Sequence, residues 1–233
     1  MIRNIFLDLD NTLLDFHLGE QIAISKTLSE LGITPTESVV RRYMEINLSL
    51  WRALERGEVS RDGVIYGRFE RLFSELGADF SPVEAQKRYQ ELLSREHELM
   101  PGARDLLEKL RSCGKYRLYI ATNGIPAVQY PRIKDSGIYE YLDGIFISYE
   151  LGYPKPRKEF FDGCAEKIGD YSPAESIIVG DSLTSDILGG INAGMITCHY
   201  NRWGDKYDGI IPDYTINNLS ELLEILDGIN RGK

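Results

Sequence analysis

The chain has 233 residues, enough for one large domain or for a domain with a smaller one inserted into it. Its 27 Lys and Arg against 36 Asp and Glu give a formal net charge of -9, which argues against nonspecific binding to a nucleic acid polymer or to an anionic membrane. The three cysteines, Cys113, Cys164 and Cys198, are scattered and lack metal-ligand spacing, so neither a disulfide framework nor a zinc site is expected.

The opening segment "MIRNIFLDLD" carries charges within its apolar stretch, shows no small-residue cleavage site, and no run approaches membrane-spanning length. A soluble, cytoplasmic protein is the expectation. Within that segment "NIFLDL" predicts a buried strand that ends on Asp8, with Asp10 and Thr12 just beyond it.

From about Phe16 to Leu99 the rhythm changes to amphipathic helices with no convincing strand. Val40, Tyr43, Met44, Asn47, Trp51 and Leu54 recur at helical spacing before Gly57, and Phe69, Leu72, Phe73 and Leu76 do so before Gly77. In "SPVE" Ser81 is the expected cap and Pro82 the first helical residue, with Glu84 reaching back.

After the break at "MPG" the helix "ARDLLEKLRS" leads into further strands at "RLYIAT", "GIFIS", "SIIVGD" and "MITCHY". Helices alternate with them, and "RKEFFDGCAEKIG" and "SDILGGINAG" close on Gly169 and Gly194. Pro131 is expected to start or kink the helix that follows the second strand. The pattern predicts an α/β fold, a doubly wound parallel sheet, with an all-helical insert: residues 1–15 and 100–233 as the core, 16–99 as the insert.

Ligands of open parallel sheets bind beyond the carboxyl ends of the strands. Collecting the polar residues there gives Asp8, Asp10 and Thr12, then Thr122 and Asn123, then Lys155, then Asp181, Ser182 and Asp186. Clustered carboxylates are unfavourable without a cation, and an oxygen-only set suits Mg²⁺ better than zinc or copper. An aspartate can attack phosphorus, and a second one can protonate a leaving oxygen and then activate water.

These residues carry a resemblance. "DLDNTLLD" is similar to the DxDxT motif of the haloacid dehalogenase superfamily, "IATNG" to its second motif, "YPKPRKEFF" to its lysine-bearing third, and "VGDSLTSDILGGINAG" to its acidic fourth, in family order over most of the chain. The resemblance implies a Rossmann-like core with Asp8 as nucleophile and Asp10 as general acid and base. Thr122, Asn123 and Lys155 would be at the substrate phosphate. For Mg²⁺ it implies Asp8, the Asp10 carbonyl and Asp181, with Asp186 as the outer acid of the metal set that orients Lys155 or metal-bound water. It makes the helical insert a type 1 cap. An acid at Asp10 implies phosphate ester cleavage or phosphomutase chemistry rather than dehalogenation.

Within the insert, "NLSLWRALERGEVSRDGVIYGRFERLF" resembles the corresponding stretch of bacterial pyrimidine 5'-nucleotidases, which implies a small phosphorylated metabolite, a nucleoside monophosphate first, as substrate. A sugar phosphatase or phosphomutase is the alternative within the superfamily. A receiver-like phospho-signalling domain is the alternative from another class, against which Asp10 and the large insert both argue.

Several further residues are open to two readings. Trp51 and Phe69 either stack on a base or belong to the core; Asn47 and Arg68 either contact base or phosphate or lie on a solvated face. His17 stands where the chain enters the insert, close enough to the first motif for a substrate contact. Tyr153 either faces the site or packs on its loop. His97 and His199 match no motif.

Overall fold

The computed structural model describes residues 1–204, 206 and 209–232. In chain order β1 (Asn4–Leu7) precedes five helices, α1 (Phe16–Glu30), α2 (Glu37–Glu55), α3 (Arg61–Ile65), α4 (Gly67–Leu76) and α5 (Pro82–Leu93). There follow α6 (Ala103–Ser112), β2 (Arg117–Thr122), α7 (Pro126–Asp135), β3 (Gly144–Ile147), α8 (Ser148–Leu151) and α9 (Lys158–Ile168). The chain ends with β4 (Ser176–Gly180), α10 (Leu188–Ala193), β5 (Ile196–Tyr200), β6 (Tyr214–Ile216) and α11 (Glu221–Arg231).

The strands form one parallel sheet in the order β3-β2-β1-β4-β5-β6. This is the doubly wound order whose direction reverses between the first and fourth strands, and the reversal opens a crevice at their carboxyl ends. Five of the strands coincide with the apolar runs of the sequence. The sixth, β6, is a three-residue edge strand with two exposed residues, too short and too polar to register as a run.

Strand alternation divides the core in two. Ile5, Leu7, Leu118, Ile120, Ile177, Val179, Cys198 and Tyr200 pack with Leu106, Leu107 and Leu110 of α6 and Leu222 and Leu226 of α11. Phe6, Tyr119, Ala121, Phe146 and Ile178 form a separate cluster with Phe160, Phe161 and Cys164 of α9. Asn4 and Ser176, which open β1 and β4, satisfy each other through a buried hydrogen bond of 3.1 Å, and the rest of both strands, buried on both faces, carries apolar side chains up to Gly180. Each such side chain contributes roughly 1.5–3 kcal/mol by leaving water.

The chain divides into two compact units. One comprises Met1–Asp15, Glu98–Pro126 and the residues from Ile133 onward; the other is Phe16–His97 with Ala127–Arg132. The short stretch 127–132, which the sequence pattern leaves with the sheet, thus groups with the helices. Helix α7 that carries it begins at Pro126, where a missing N–H is harmless, and continues through Pro131 rather than starting there.

In the helical unit the caps are local. Thr36 accepts the Val39 N–H, Ser60 that of Gly63 and Ser81 that of Glu84, while α4 closes on Gly77 in the left-handed region. Tyr43, Phe69 and Tyr89 meet at its centre in tilted and edge-on pairs with centroids 5.3–5.9 Å apart. Among them runs a buried polar chain through four helices. Asn47 donates to Glu20 Oε1 at 2.5 Å and accepts from Arg68 Nη1 at 2.9 Å, and Arg68 Nη2 donates to Gln86 Oε1 at 2.6 Å. The Arg68 guanidinium also lies over the Tyr89 ring, 4.6 Å from its centroid.

Asn47 is therefore the neutral bridge between a buried carboxylate and a buried guanidinium. Asn47→Leu keeps the branched shape but removes both bonds of the bridge, leaving Arg68 to Gln86 and taking a donor from Glu20, so a loss of roughly 2–3 kcal/mol is expected, read as a lower midpoint in urea denaturation. Arg132 is likewise fully buried and donates to the Glu96 carbonyl at 2.8 Å and to Gln129 Oε1 at 2.9 Å. Among the described residues no helix is long and apolar enough to cross a membrane.

Candidate active site

The site forms at the carboxyl ends of β1, β2 and β4. Asp8 follows β1 directly, and its N–H extends the ladder to the Val179 carbonyl at 2.9 Å. Beyond it the backbone turns tightly. The N–H groups of Leu13 and Leu14 both reach the Leu9 carbonyl, and Asn11, with φ of 62°, takes the left-handed conformation that asparagine tolerates. Asp10 is half-buried at the head of this turn.

Thr12 is buried within the turn and bridges to the next strand. Its hydroxyl donates to Asp181 Oδ1 at 3.2 Å and accepts the Asp181 N–H at 3.1 Å. The threonine of the first segment thus fastens the loop after β1 to the acid after β4.

Lys155 lies in the loop between α8 and α9, and its ammonium is fully buried. It donates to Asp8 Oδ1 at 2.7 Å, Asp186 Oδ1 at 2.6 Å and the Ala121 carbonyl at 2.5 Å, which engages all three of its protons. Burial opposes the ammonium charge, yet the attraction of Asp186 and Asp8 outweighs it and holds Lys155 above the usual lysine range. The lysine is a fixed positive charge.

Asn123 holds that loop. Its Oδ1 accepts the Lys155 N–H at 2.9 Å, and its Nδ2 donates to the Lys155 carbonyl at 3.0 Å and to Ser185 Oγ at 3.3 Å. The amide expected at the substrate is therefore engaged with the backbone that carries the lysine. Thr122 ends β2, buried, and its hydroxyl accepts the Gly124 N–H at 3.1 Å.

Beyond β4, Ser182 caps a single π-type turn, and Asp186 Oδ2 accepts the Ser182 N–H at 3.1 Å. Gly180 makes this possible: a Cβ there would stand 2.2 Å from Asp186 Oδ2, so any side chain would displace the acid that holds Lys155. Gly190 likewise sits against Ile178 and Thr197, letting α10 close on the sheet.

Carboxylate oxygens of Asp8, Asp181 and Asp186 lie within 4.8 Å of one another. Three carboxylates against one ammonium leave a surplus of negative charge. Burial, then Asp186 and Asp10 against the opposing pull of Lys155, pushes Asp8 up to about 8. Burial, followed by the charges of Asp8 and Asp186, also holds Asp181 well above the usual carboxylate range. The chain alone does not neutralise this cluster, and its donors are all oxygen, which fits a hard divalent cation.

Outside this cluster the other candidates fall elsewhere. Asn47 and Arg68 are neither on a solvated face nor open to a ligand, because both are consumed by the buried chain described above. Phe69 is core, Trp51 half-buried and His17 exposed. Tyr153 is 42% exposed with the Arg157 guanidinium 4.9 Å from its ring centroid.

His199, which no motif marked, is fully buried with Nε2 2.9 Å from the Asp181 carbonyl oxygen. Its sequence signal was hidden inside an apolar strand.

A family model of haloacid dehalogenase-like hydrolases matches residues 2–194. YfnB of Bacillus subtilis (strain 168) is 38% identical over 97% of this chain and 95% of its own length. The crystal structure of YfnB bound to magnesium aligns with a TM-score of 0.92, covering 97% of this chain and 98% of that one. Pyrimidine 5'-nucleotidase PynA of Streptococcus pneumoniae (strain ATCC BAA-255 / R6) is 36% identical over 96% of this chain and 94% of its own. Pyrimidine 5'-nucleotidase YjjG of Escherichia coli (strain K12) is 32% identical, covering 95% and 96%.

Proposed function

The chain belongs to the haloacid dehalogenase-like hydrolases, and within that family we propose that it is a Mg²⁺-dependent phosphatase of nucleoside 5'-monophosphates, pyrimidines first, acting through a phosphorylated Asp8. The observation that carries the phosphatase reading is the buried Lys155 ammonium bonded to both Asp8, which follows β1, and Asp186, which follows β4. The nucleotide reading is supported by the identity to PynA and YjjG over nearly the whole chain. We read residues 1–15 and 100–233 as the catalytic core and 16–99 as its cap. A cytoplasmic location belongs to the same reading, supported by three free cysteines.

The steps follow from the residues. Lys155 holds Asp8 Oδ1, which leaves the other oxygen to attack phosphorus. As that O–P bond forms, the ester P–O bond breaks and the Asp10 carboxyl gives its proton to the departing oxygen. Asp10, now a carboxylate, takes a proton from water, whose oxygen bonds to phosphorus while the Asp8 O–P bond breaks. Inorganic phosphate leaves and both acids return to their starting states. Thr122 and the Lys155 charge orient the phosphoryl oxygens, and Asn123 serves them by fixing the lysine loop. Asp8, Asp181, the Asp10 carbonyl and, from outside, Asp186 would hold Mg²⁺, which when bound supplies charge neutralisation for the transferring group.

The direction of the Asp8 shift gives a pH signature. With its pKa raised from 3.8 to about 8, the metal-free native protein keeps a proton that the unfolded chain releases. Its stability therefore falls as pH rises through that window. Mg²⁺ competes with the same proton, so the rise in melting temperature on adding Mg²⁺ is expected to grow with pH up to about 8 and then level off. A Mg²⁺-induced shift that is independent of pH would remove Asp8 from the ligand set.

The substrate class is tested by phosphate release from a panel of nucleoside 5'-monophosphates and sugar phosphates with Mg²⁺. Pyrimidine nucleotides are expected to give the highest kcat/KM. Preference for a sugar phosphate, or isomerisation of a hexose 1-phosphate without phosphate release, would replace the nucleotide reading with a sugar phosphatase or a mutase.

A further inference from the structure

We propose that His199 is a positioning residue for Asp181, fixing the carboxylate that would meet the cation; the inference rests on the Mg²⁺ reading of the site. Asp181 stands one residue beyond β4, where no ladder bond of its own strand restrains it. The adjacent strand β5 runs parallel, with His199 opposite Gly180. On β5, Cys198 and Tyr200 belong to one core cluster. Thr197 and His199, buried on the alternate positions, are polar. The polar pair is unusual in a strand otherwise enclosed.

The contact of His199 is specific. A backbone carbonyl only accepts, so Nε2, 2.9 Å from the Asp181 oxygen, carries the hydrogen, and this bond fixes the imidazole tautomer. On the opposite side Thr12 Oγ1 accepts the Asp181 N–H and donates to Oδ1. Asp181 is therefore held at its N–H and at one carboxylate oxygen by Thr12 in the turn after β1, and at its carbonyl by His199 on β5. Two of these bonds fix the Asp181 backbone from either side and the third holds the carboxylate, so the side chain projects from an anchored peptide.

Hydrogen bonds that orient a metal ligand are worth about 10–100-fold in metal affinity or activity. His199 supplies one of these bonds from a position that touches neither substrate nor cation. Its loss should weaken cation binding without removing a ligand.

The test is Mg²⁺ titration of the purified full chain by isothermal calorimetry, with no substrate present. His199→Leu, which fills the space and lacks the donor, should raise the Mg²⁺ Kd about tenfold or more, while His199→Gln, which restores an N–H, should return it to within about threefold of wild type. Should the leucine variant not fold, His199→Phe keeps a ring without a donor and is expected to show the same loss. Donor-free variants that bind like wild type overturn the proposal. A glutamine variant as weak as the leucine one also overturns it, because packing alone would then explain the loss. A wild type that takes up no Mg²⁺ instead defeats the metal reading itself, a distinct outcome from a wild type that binds while every variant matches it.

Discussion

Asp8→Asn is expected to lower Mg²⁺-dependent phosphate release by about 10⁴-fold or more, because the amide is a poor nucleophile at phosphorus and cannot form the acyl phosphate. The substitution is nearly isosteric, so the fold should survive. It also puts a neutral amide where the buried Asp8 carboxyl of the metal-free protein keeps its proton up to about pH 8, so the metal-free variant should be no less stable than wild type. The two effects point in opposite directions and are read separately, by steady-state phosphate release and by thermal melting. Activity near the wild-type level would place the nucleophile elsewhere.

Lys155→Met is expected to destabilise the metal-free protein strongly. The ammonium is buried and satisfies Asp8, Asp186 and the Ala121 carbonyl at once. Methionine fills the channel but leaves two buried carboxylates facing each other without a counter-charge. A loss of roughly 3–5 kcal/mol is expected in the metal-free protein, because breaking a buried pair strands the remaining charge. Mg²⁺ should restore part of that stability by neutralising the same oxygens, whereas kcat should remain down by about 10²–10³-fold for want of the fixed positive charge. Denaturation with and without Mg²⁺, beside phosphate release, separates the two. An unaltered urea midpoint in the metal-free variant would mean that Lys155 is not the counter-charge of this cluster.

The convergence of the candidate site residues was legible in the sequence because a parallel sheet turns strand ends into neighbours. Asp8, Thr122 and Asp181 each close an apolar run or follow it by one residue, and the strand order brings β1 between β2 and β4. The caps at Ser81 and Gly77 were equally local. What stayed hidden is what depends on contacts between distant segments. Asn47 and Arg68 read as exposed or ligand-facing polar residues because the string does not show Glu20 and Gln86 meeting them in the interior. His199 looks like any strand residue until a carbonyl from the neighbouring strand reaches its ring. Strand β6 has too few apolar residues to be seen by itself, and α7 runs through a proline that reads as its boundary.

Asn123 makes the same point within a motif. It was legible as a candidate, but the string does not show that it meets Lys155, thirty-two positions along the chain, whose N–H and carbonyl it holds. The motif supplies the chemistry, and tertiary structure assigns the work within it.

The most direct measurement is a rapid-quench single turnover with a phosphorus-labelled pyrimidine nucleoside 5'-monophosphate and Mg²⁺, followed by mass mapping of the quenched protein. A transient phosphoryl group is expected on Asp8, forming before free phosphate appears and lost when hydroxylamine is added. Phosphate released within one turnover with no label on Asp8, or with the label on another residue, would contradict that expectation.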